Sequence, residues 1–420
     1  MISRAKRILV IGMNYAPELA GVGRYTGDLA AELAKRGHDV TVITTPPHYP
    51  GWTTKDPYSN KYNQRTEGGV RIWRCPLLLR KDMRGIWRLL APLSFAITSM
   101  PFVFWHFFRH RPNVVLCIEP TLLSAPAALV CSRATSTRTV LHVQDLEVDA
   151  AFAVGHIFKH RWLQMLGHWF EHFTLDGFEQ IVTISEKMRQ RLEEKGIKES
   201  RLVVIRNWVD LDKIFCVPID MAYRRKLGID LDAFVVLYSG NIGVKQGLGI
   251  LLGAMEILQK KKNITCVIAG DGPAKPALLS RWRHLRNVHF VPFQPEELFN
   301  AFLGLANVHV VPQEGGAADM VLPSKIGGIL ASGRPLIVTA TTGTELANFL
   351  ANTATVVPPG DVQALASAIA NAAEKPEEGD VSRQARLNLA SLLDRERAMD
   401  AMEAVLISET TSRGSTSPKP

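Results

Sequence analysis

The sequence predicts two α/β domains in series, each built around a doubly wound parallel sheet. With 420 residues, the chain is longer than one hydrophobic core usually supports, so two domains are the first expectation. Short apolar runs alternate with longer helical patterns in the first half, which is typical of βαβ units with right-handed crossovers. The same alternation starts again after residues 206–229, which indicates a second sheet.

The first sheet is predicted to begin with the apolar run at 7–11. A loop with Gly21 and Gly23 follows, and then a helix from about Tyr25 to Arg36 that ends at a glycine. Further strands of this sheet are predicted at 39–44, 70–74, 114–118, 139–143, 180–184 and 202–205.

The second sheet is predicted to begin with the strand 234–238, which leads through a glycine-rich turn into a helix at about 248–259. Further strands are predicted at 264–269, 288–291, 308–311, 335–338 and 355–357. Two such sheets in series are expected to form a cleft, with ligands at the carboxyl ends of the strands.

These patterns also predict the domain boundaries. The first domain is expected to span residues 1–212 and the second residues 213–388. A helix at 389–409 is expected to pack back on the first domain. The tail at 410–420 is rich in Ser, Thr and Pro, which predicts disorder.

The composition is that of a globular protein, with 46% hydrophobic and 21% charged residues. The formal charge of +9 favours an anionic partner, and a nucleic acid, a membrane surface or a phosphorylated substrate each fits it. The five cysteines lack metal-pair or redox spacing, so we expect small buried side chains in a reducing compartment. No signal-peptide pattern precedes the first strand, which predicts a cytoplasmic location.

Residues 89–108 form a long apolar and aromatic segment without Asp, Glu, Lys or Arg, flanked by basic residues on both sides. About 20 apolar residues suffice to span a bilayer. Pro92 and Pro101 and the two basic flanks argue against a span. Two interpretations stay open. One is a helix pair whose apolar and basic side rests on anionic lipid, and the other is a buried crossover helix with a solvated basic rim.

The loop at 21–26 is similar to a dinucleotide-binding motif but differs from it in two ways. Its third glycine position is Thr26, and no acid follows the second strand. An NAD-dependent oxidoreductase is therefore disfavoured. Gly21 and Gly23 still allow close approach of a ligand, and amides at a helix start favour phosphate. A glycine turn that only permits tight packing is the alternative.

The segment 239–247 follows a buried strand directly and opens a helix. A departing pyrophosphate develops negative charge, which a fixed cation and aimed amides stabilise. The segment offers glycines for close backbone approach and one lysine, so we predict a phosphate site, with a merely solvated lysine as the alternative. Its candidate ligand contacts are Ser239, Gly240, Asn241, Lys245, Gln246 and Gly247.

A second phosphate-binding motif is predicted at Leu322, Pro323, Ser324 and Lys325, at the start of another helix. Pro323 suits the first helical turn, and Ser324 with the neighbouring amides can bond phosphate oxygens. Lys325 can bond the ribose or a phosphate. An ordinary capped helix start is the alternative for this motif alone. The two loops together predict a nucleotide-diphosphate site.

These motifs resemble the retaining family-four glycosyltransferases of GT-B fold, and the resemblance covers nearly the whole chain. It rests on the Gly21/Gly23 loop, the turn at 239–247, Gly-Asp-Gly-Pro at 270–273, and Leu-Pro-Ser-Lys at 322–325. It implies two Rossmann-like domains facing a cleft, the first binding the acceptor and the second the nucleotide sugar. It implies donor contacts at Gly270 and Asp271. It further implies metal-independent transfer without a cofactor other than the donor substrate itself.

Further strings resemble, within that family, transferases of exopolysaccharide assembly, including that of colanic acid. They lie at 14–18, 45–50, 73–76, 141–145 and 316–319. The resemblance implies GDP-fucose as the first choice of donor and a polyprenyl-pyrophosphate-linked acceptor. It places the enzyme as a peripheral protein on the anionic inner face of the cytoplasmic membrane, with no nucleic-acid partner.

Two departures from the family pattern concern the donor site. Asn241 stands where the family usually has an arginine, which leaves Lys245 as the only cation of the turn. The two acids of the family's E-x7-E motif fall on Met320 and Gly328. The usual carboxylate contacts to the donor are therefore not available. The acids expected to substitute are Asp319 or Glu314, with simple solvation of both as the alternative.

Acceptor-side candidates are His142, Asp145 and Asp149, which accompany the strand 139–143. A carboxylate at the carboxyl end of this strand can orient or deprotonate an acceptor hydroxyl. Helix capping by either aspartate is the alternative. We expect Lys245, Asp145 and His142 to be the catalytic residues.

Three functions remain open from the sequence. The first is sugar transfer with retention, because no carboxylate nucleophile is evident. The second is a sugar-nucleotide 2-epimerase, which shares the fold and the donor cleft. The third is a non-catalytic, membrane-associated scaffold for polysaccharide assembly, which the altered acid positions favour.

Overall fold

The computed structural model describes residues 5–18, 21–49, 51–54, 56–80, 87–146, 161–243, 246–261, 263–314, 320–375 and 379–408. The chain divides into two compact units. The first contains residues 1–206 and 399–420, and the second contains residues 207–398. The predicted boundary after residue 212 falls inside the second unit, because Val209 donates its amide to Leu393 and accepts from Arg395.

An eight-stranded sheet forms the centre of the first unit. Its order is β3-β4-β2-β1-β5-β6-β7-β8, and all neighbours are parallel except β3 and β4. The seven predicted strands are confirmed to within one residue at each end. The strands are β1 (Arg7–Ile11), β2 (Asp39–Thr44), β3 (Asn63–Glu67), β4 (Val70–Arg74), β5 (Val114–Glu119), β6 (Arg138–Val143), β7 (Gln180–Thr183) and β8 (Leu202–Val204).

The edge strand β3 was not predicted, because its sequence Asn-Gln-Arg-Thr-Glu is polar and every side chain is exposed. Such an edge pairs through its backbone on one side only and needs no apolar residues. Its charged side chains discourage pairing with another chain.

In the described residues before 207, five α-helices accompany this sheet. The path from β4 through β8 advances in one direction across the sheet, so right-handed crossovers place the helices α2 to α5 on one face. The helix between β1 and β2 crosses in the opposite direction and lies on the other face. The helices are α1 (Val22–Lys35), α2 (Trp87–His110), α3 (Ala125–Thr135), α4 (Arg161–Asp176) and α5 (Glu186–Glu194).

The segment 89–108 lies in the single continuous helix α2, so the predicted helix pair is wrong. Pro92 and Pro101 lie inside it, yet Ala91, Phe95 and Phe107 form a fully buried stripe that holds the helix on the sheet. Leu89–His110 is long and apolar enough to cross a bilayer by length and composition, with a mean hydropathy of 1.4. Its buried stripe is that of a crossover helix packed on its own domain.

The second unit contains a six-stranded parallel sheet of order β11-β10-β9-β12-β13-β14. All six predicted strands are confirmed to within one residue. The strands are β9 (Phe234–Ser239), β10 (Ile264–Ala269), β11 (Val288–Val291), β12 (Val308–Val311), β13 (Leu336–Thr339) and β14 (Thr355–Val357). The helices are α6 (Met221–Lys226), α7 (Leu248–Ile257), α8 (Lys275–Arg281), α9 (Glu296–Gly304), α10 (Lys325–Ala331), α11 (Glu345–Phe349), α12 (Val362–Glu374), α13 (Asp380–Ser391) and α14 (Arg395–Ile407).

The C-terminal region differs from the single helix predicted at 389–409. Helix α13 ends at Ser391, and α14 begins at Arg395. From Met399 onward α14 belongs to the first unit. There Arg36 donates to Asp400 and to Glu403, with both N–O distances at 2.7 Å. The predicted disordered tail at 410–420 lies outside the described residues.

Four of the five cysteines are buried as expected, but Cys216 is exposed. Burial raises the pKa of Cys75 and Cys117 to about 12, so both are neutral thiols that pack as apolar groups.

The buried side chain of Arg224 hydrogen-bonds backbone carbonyls in the interior of the second unit. Only 2% of this side chain is exposed. Its guanidinium donates to the carbonyls of Leu231, Ala233 and Leu305 and to the Asn307 side chain, at 2.7–3.1 Å. The group therefore satisfies acceptors from three segments around the start of β9.

We predict that Arg224→Ala lowers the free energy of unfolding by about 3 kcal/mol or more, because it leaves several buried carbonyls without a donor. Urea unfolding followed by circular dichroism measures this loss. The neighbouring Arg225 is exposed, and Arg225→Ala is expected to stay within about 0.5 kcal/mol of the wild type. Equal unfolding midpoints for the two variants would contradict the assignment.

Candidate functional site

The carboxyl ends of β9 and β12 form the topological switch point of the second sheet. After β9 the chain proceeds outward to β10 and β11, and it then returns to β12 and proceeds to the opposite edge. The loops after β9 and β12 therefore diverge and leave a crevice, which is where open α/β sheets bind ligands. The predicted turn at 239–247 follows β9 and lies at this point.

Two glycine turns meet backbone to backbone beside the crevice. The Gly240 amide donates to Ala269 at 3.0 Å, and the Ile242 amide donates to Asp271 at 2.8 Å. Gly240, Gly270 and Gly272 have φ angles of 137°, 150° and 158°. A Cβ atom on Gly270 would lie 1.9 Å from the Gly240 carbonyl oxygen. Only glycine fits there, so these residues fix the shape of the turn.

Lys325 lies against this turn from the start of α10. Its Nζ atom lies 4.0 Å from the centroid of the Tyr238 ring. A Cβ on Gly240 would be only 2.9 Å from the same atom. The Tyr238 hydroxyl donates to the Asn241 carbonyl at 2.6 Å. The aromatic ring thus supports the lysine through a cation–π contact while its hydroxyl holds the turn.

Burial gives Lys325 an unusual acidity. Desolvation lowers the pKa of its ammonium group to about 7. Burial also raises the pKa of Tyr238, so the phenol stays neutral and contributes no negative charge. A group that is half-charged near neutral pH beside a glycine turn gains its proton when an anion arrives.

Helix α7 begins directly after the turn, with Gly247 as its first flanking residue at φ 61°. A Cβ there would lie 3.0 Å from the backbone of Gln313, so the turn also contacts the loop after β12. The first four amides of a helix have no partner within it, and the helix dipole favours an anion at this end. The ten-residue α7 therefore adds donors to the crevice.

The other predicted donor residues flank this arrangement. Ser239 is half-buried, and Asn241 is exposed. Asp271 accepts from the Gly272 amide at 2.9 Å, and Lys275 donates to the Gly270 carbonyl at 3.0 Å. The remaining predicted donor residues in the described part of the chain are Gln246, Leu322 and Pro323, all half-buried, and Ser324, which is exposed.

Several predicted residues lie outside the described part of the chain. They are Lys245, Asp149 and Asp319. The sequence prediction for these side chains stays a prediction.

The two positions of the missing acids have different surroundings. A Cβ on Gly328 would lie 3.4 Å from Leu303 Cδ1 and 3.8 Å from Ile214 Cδ1. A glutamate there would be placed among apolar groups, which disfavours its charged form. Met320 is half-buried, whereas Glu314 is exposed after β12. The apolar packing of α10 therefore disfavours the family's glutamate at 328, although a small apolar side chain would make only ordinary contacts there.

Tyr238 and Lys275 belong to the site but were not predicted. Tyr238 occupies a fully buried position in β9 and therefore has the pattern of a core aromatic. In the sequence, only the spacing of three residues between Tyr238 and Asn241 indicates that the Tyr238 hydroxyl can reach the turn. Lys275 resembles an ordinary helix-start lysine, since only the fold shows the Gly270 carbonyl beside it.

In the first unit, the acceptor-side candidate His142 lies within β6 near its carboxyl end, and Asp145 follows the strand. His142 is 2% exposed, and desolvation lowers its pKa to about 4, so the ring is neutral at physiological pH. The Gln144 side-chain amide donates to its Nε2 atom at 3.2 Å. Asp145 is exposed next to this pair. The structure therefore presents Asp145 to solvent and buries His142 beneath Gln144.

The Gly21/Gly23 loop differs from its prediction. Helix α1 begins at Val22, so Gly23 lies in its first turn instead of before it. A Cβ on Gly23 would lie 2.4 Å from a Glu18 carboxylate oxygen. Glu18 in turn accepts from the amides of His48 and Tyr49 at 3.1 and 3.0 Å. Tight packing against Glu18 accounts for Gly23, and a ligand contact there stays a prediction.

Comparisons with known proteins agree with this geometry. The model of a glycosyl transferase 4-like domain matches residues 20–208, and that of glycosyl transferases group 1 matches residues 233–375. The chain is 37% identical over 387 residues to a protein assigned as the colanic acid biosynthesis glycosyl transferase WcaI of Escherichia coli (strain K12). The match covers 90% of this chain and 95% of that protein.

Solved structures show the same fold. Sucrose-phosphate synthase from Thermosynechococcus elongatus superposes with a TM-score of 0.73 at 17% identity, over 95% of this chain and 98% of that one. Anabaena HepE in complex with UDP superposes with a TM-score of 0.69 at 14% identity, over 95% and 99% of the two chains. Both family models, the 37% identical relative and the two Rossmann-like sheets lead to one conclusion: the protein belongs to the family-four glycosyltransferases and has their GT-B fold.

Proposed function

We propose that this protein transfers a sugar from a nucleotide-diphosphate sugar to a lipid-linked oligosaccharide, with retention, in assembly of a colanic-acid-like exopolysaccharide. The observation that carries the proposal is Lys325, held over Tyr238 against the Gly240 turn at the switch point. Its ammonium group and the first amides of α7 suit a pyrophosphate. The 37% identical relative supports the exopolysaccharide context.

The proposed donor mechanism uses fixed positive charge. In this mechanism Lys325 at the start of α10, with Lys245 from the segment 239–247, neutralises the charge that the leaving pyrophosphate develops, and no metal ion is required. Stabilisation is effective because the glycine turns are set before the donor binds and need no reorganisation. GDP-fucose is the first donor to test, and it rests on resemblance alone.

On the acceptor side, we assign Asp145 as the group that orients or deprotonates the attacking hydroxyl. It is exposed after β6, where a polar acceptor can reach it. His142 is buried and neutral, so it suits positioning of the Gln144–Asp145 segment better than direct proton transfer. The acceptor is a polyprenyl-pyrophosphate-linked oligosaccharide at the inner face of the cytoplasmic membrane.

The direct test is turnover of GDP-fucose, and then of other GDP- and UDP-sugars, with a polyprenyl-linked acceptor. We expect a glycosylated lipid whose new linkage keeps the donor's anomeric configuration by NMR. Lys245→Ala is expected to reduce kcat by roughly a hundredfold, as for loss of a transition-state charge contact. Lys187→Ala, on α5 of the first unit, is the matched control and should leave kcat unchanged.

Other outcomes of that assay contradict the proposal in distinct ways. An epimerised sugar or free UDP without a glycosylated acceptor would establish the 2-epimerase instead. If no donor is turned over and no nucleotide binds, the non-catalytic scaffold would be the remaining function. An inverted linkage would refute retention alone.

The pKa of Lys325 predicts a pH dependence of donor binding. An anion favours the ammonium form and raises its pKa above 7, so binding takes up a proton. Affinity is therefore fully developed below pH 7 and weakens as the pH rises above it. We expect a roughly tenfold weaker Kd at pH 8.5 than at pH 6.5. A nucleotide sugar should be the ligand, since its pyrophosphate diester does not titrate in this range.

Isothermal titration calorimetry on two variants separates this effect from general pH sensitivity. Lys325→Arg keeps its charge throughout, so its Kd should be nearly independent of pH. Lys325→Ala should bind at least roughly tenfold more weakly at pH 6.5 and also show a flat profile. A wild-type Kd that does not change between the two pH values would exclude Lys325 from the pyrophosphate site.

A further inference from the structure

Helix α4 presents an apolar stripe to solvent that the sequence analysis did not identify. Trp162, Met165, Leu166, Trp169 and Phe173 follow one another at helical spacing, and each side chain is between 51% and 71% exposed. Scattered exposed apolar residues are normal, but five large ones on one helix face mark an interaction surface. Trp169 and Phe173 stack with their ring centroids 5.6 Å apart, which makes the stripe continuous.

Helix α2 carries a second stripe on the side opposite its buried residues. Leu93, Ile97, Met100, Phe104 and Phe108 are spaced by three or four positions and are between 38% and 60% exposed. The helix therefore has two apolar sides, one facing its own sheet and one facing solvent. A helix that serves only as a crossover needs the first side alone.

The two stripes belong to one face of the first unit. The strand order, with the rule that parallel crossovers are right-handed, implies that α2, α3 and α4 lie on the same face of the sheet. Helix α2 packs on α3, and Leu129 of α3 lies against Gly177 at the end of α4. Val130 of α3 is 59% exposed between the two stripes. We call the outward stripes of α2 and α4, with Val130, the apolar face.

The unit that contains the apolar face is positively charged, and the helices that form the face contribute to that charge. The first unit contains 30 of the 49 Lys and Arg residues and 21 of the 40 Asp and Glu residues, so it has the whole formal charge of +9. Helices α2 and α3 contain no acid and have exposed Arg109 and Arg133. In α4, Glu171 is buried against Lys195 at 2.6 Å, and Asp176 pairs with Arg201 at the helix end.

We propose that the apolar face docks on an anionic lipid bilayer, with α2 and α4 lying in the plane of the interface. Tryptophan is favoured at headgroup level because its ring is apolar and its N–H is polar, and α4 supplies Trp162 and Trp169 there. Nearby lysine and arginine side chains add attraction to anionic headgroups. A second copy of this chain is disfavoured as the occupant, because two identical basic faces repel each other.

This docking proposal rests on the proposed function, because a lipid-linked acceptor gives the enzyme a reason to bind a membrane. The bilayer contact assigns distinct tasks to the two units. The first unit, which has all the net charge, binds the surface. The second unit, with 19 basic and 19 acidic residues, is neutral and holds the donor site.

Vesicle co-sedimentation of the full chain tests the proposal. We expect tight binding to phosphatidylcholine vesicles with about a third phosphatidylglycerol, and weaker binding to pure phosphatidylcholine or at high salt. Trp169→Glu and Ile97→Glu, one on each stripe, should each weaken binding by roughly tenfold or more. Val381→Glu is the matched control, because Val381 is 85% exposed on α13 of the neutral unit.

Three results would overturn the docking proposal. They are equal vesicle binding by Trp169→Glu and the wild type, equal binding to neutral and anionic vesicles, and a concentration-dependent dimer that Trp169→Glu abolishes without any vesicle binding. The circular dichroism spectrum and unfolding midpoint of the same variants should match the wild type, which shows that the first unit folds, and their donor binding by calorimetry should also be unchanged. If the wild type binds vesicles but no nucleotide sugar, the proposed function fails and the docking stands.

Discussion

The proposed donor site depends on one contact, the direct approach of the turn after β9 to the turn after β10. The Gly240 carbonyl occupies the space that a side chain on Gly270 would need. This close approach fixes the backbone of both turns. The Asn241 carbonyl can then accept a hydrogen bond from the Tyr238 hydroxyl, and Lys325 packs against Gly240. A side chain on Gly270 would force the two turns apart, and one on Gly240 would collide with the Lys325 ammonium group. Close packing at this point is thus a condition for the proposed site as well as for folding.

The fold was largely predictable because parallel strands buried on both faces are continuous apolar runs. Of the fourteen strands in the described part of the chain, thirteen were predicted, and only β3, a polar edge strand, was missed. Helix α2 shows where pattern reasoning fails. Two prolines indicated a break, but burial of Phe95 and Phe107 holds one helix through both positions. Tertiary packing outweighs a local backbone penalty of about 3 kcal/mol for each proline.

Only the backbone turns of the candidate site could be predicted from the sequence. Glycine spacing after β9 predicted a turn at the switch point of the sheet, and the structure has that turn there, while phosphate binding by it stays a prediction. The support of Lys325 by Tyr238 could not be predicted, because the two residues are far apart in sequence and Tyr238 has the pattern of a core residue. Burial of His142 was also unexpected, since alternation along a strand does not show which neighbour covers its end. The apolar face could not be predicted either, because its two stripes come together only when α2 and α4 are known to lie on the same face of the sheet.

Hydrogen–deuterium exchange of the wild-type chain, with and without a saturating nucleotide sugar, reports on the amides of the proposed donor site. We expect slower exchange at 239–250, 270–274 and 322–328, by roughly tenfold or more, because bound ligand shields and stabilises these amides. Segments of the second unit away from the crevice, such as α12, should be unchanged. Protection confined to other regions, with the turn after β9 exchanging at its free rate, would contradict the assignment of the donor site.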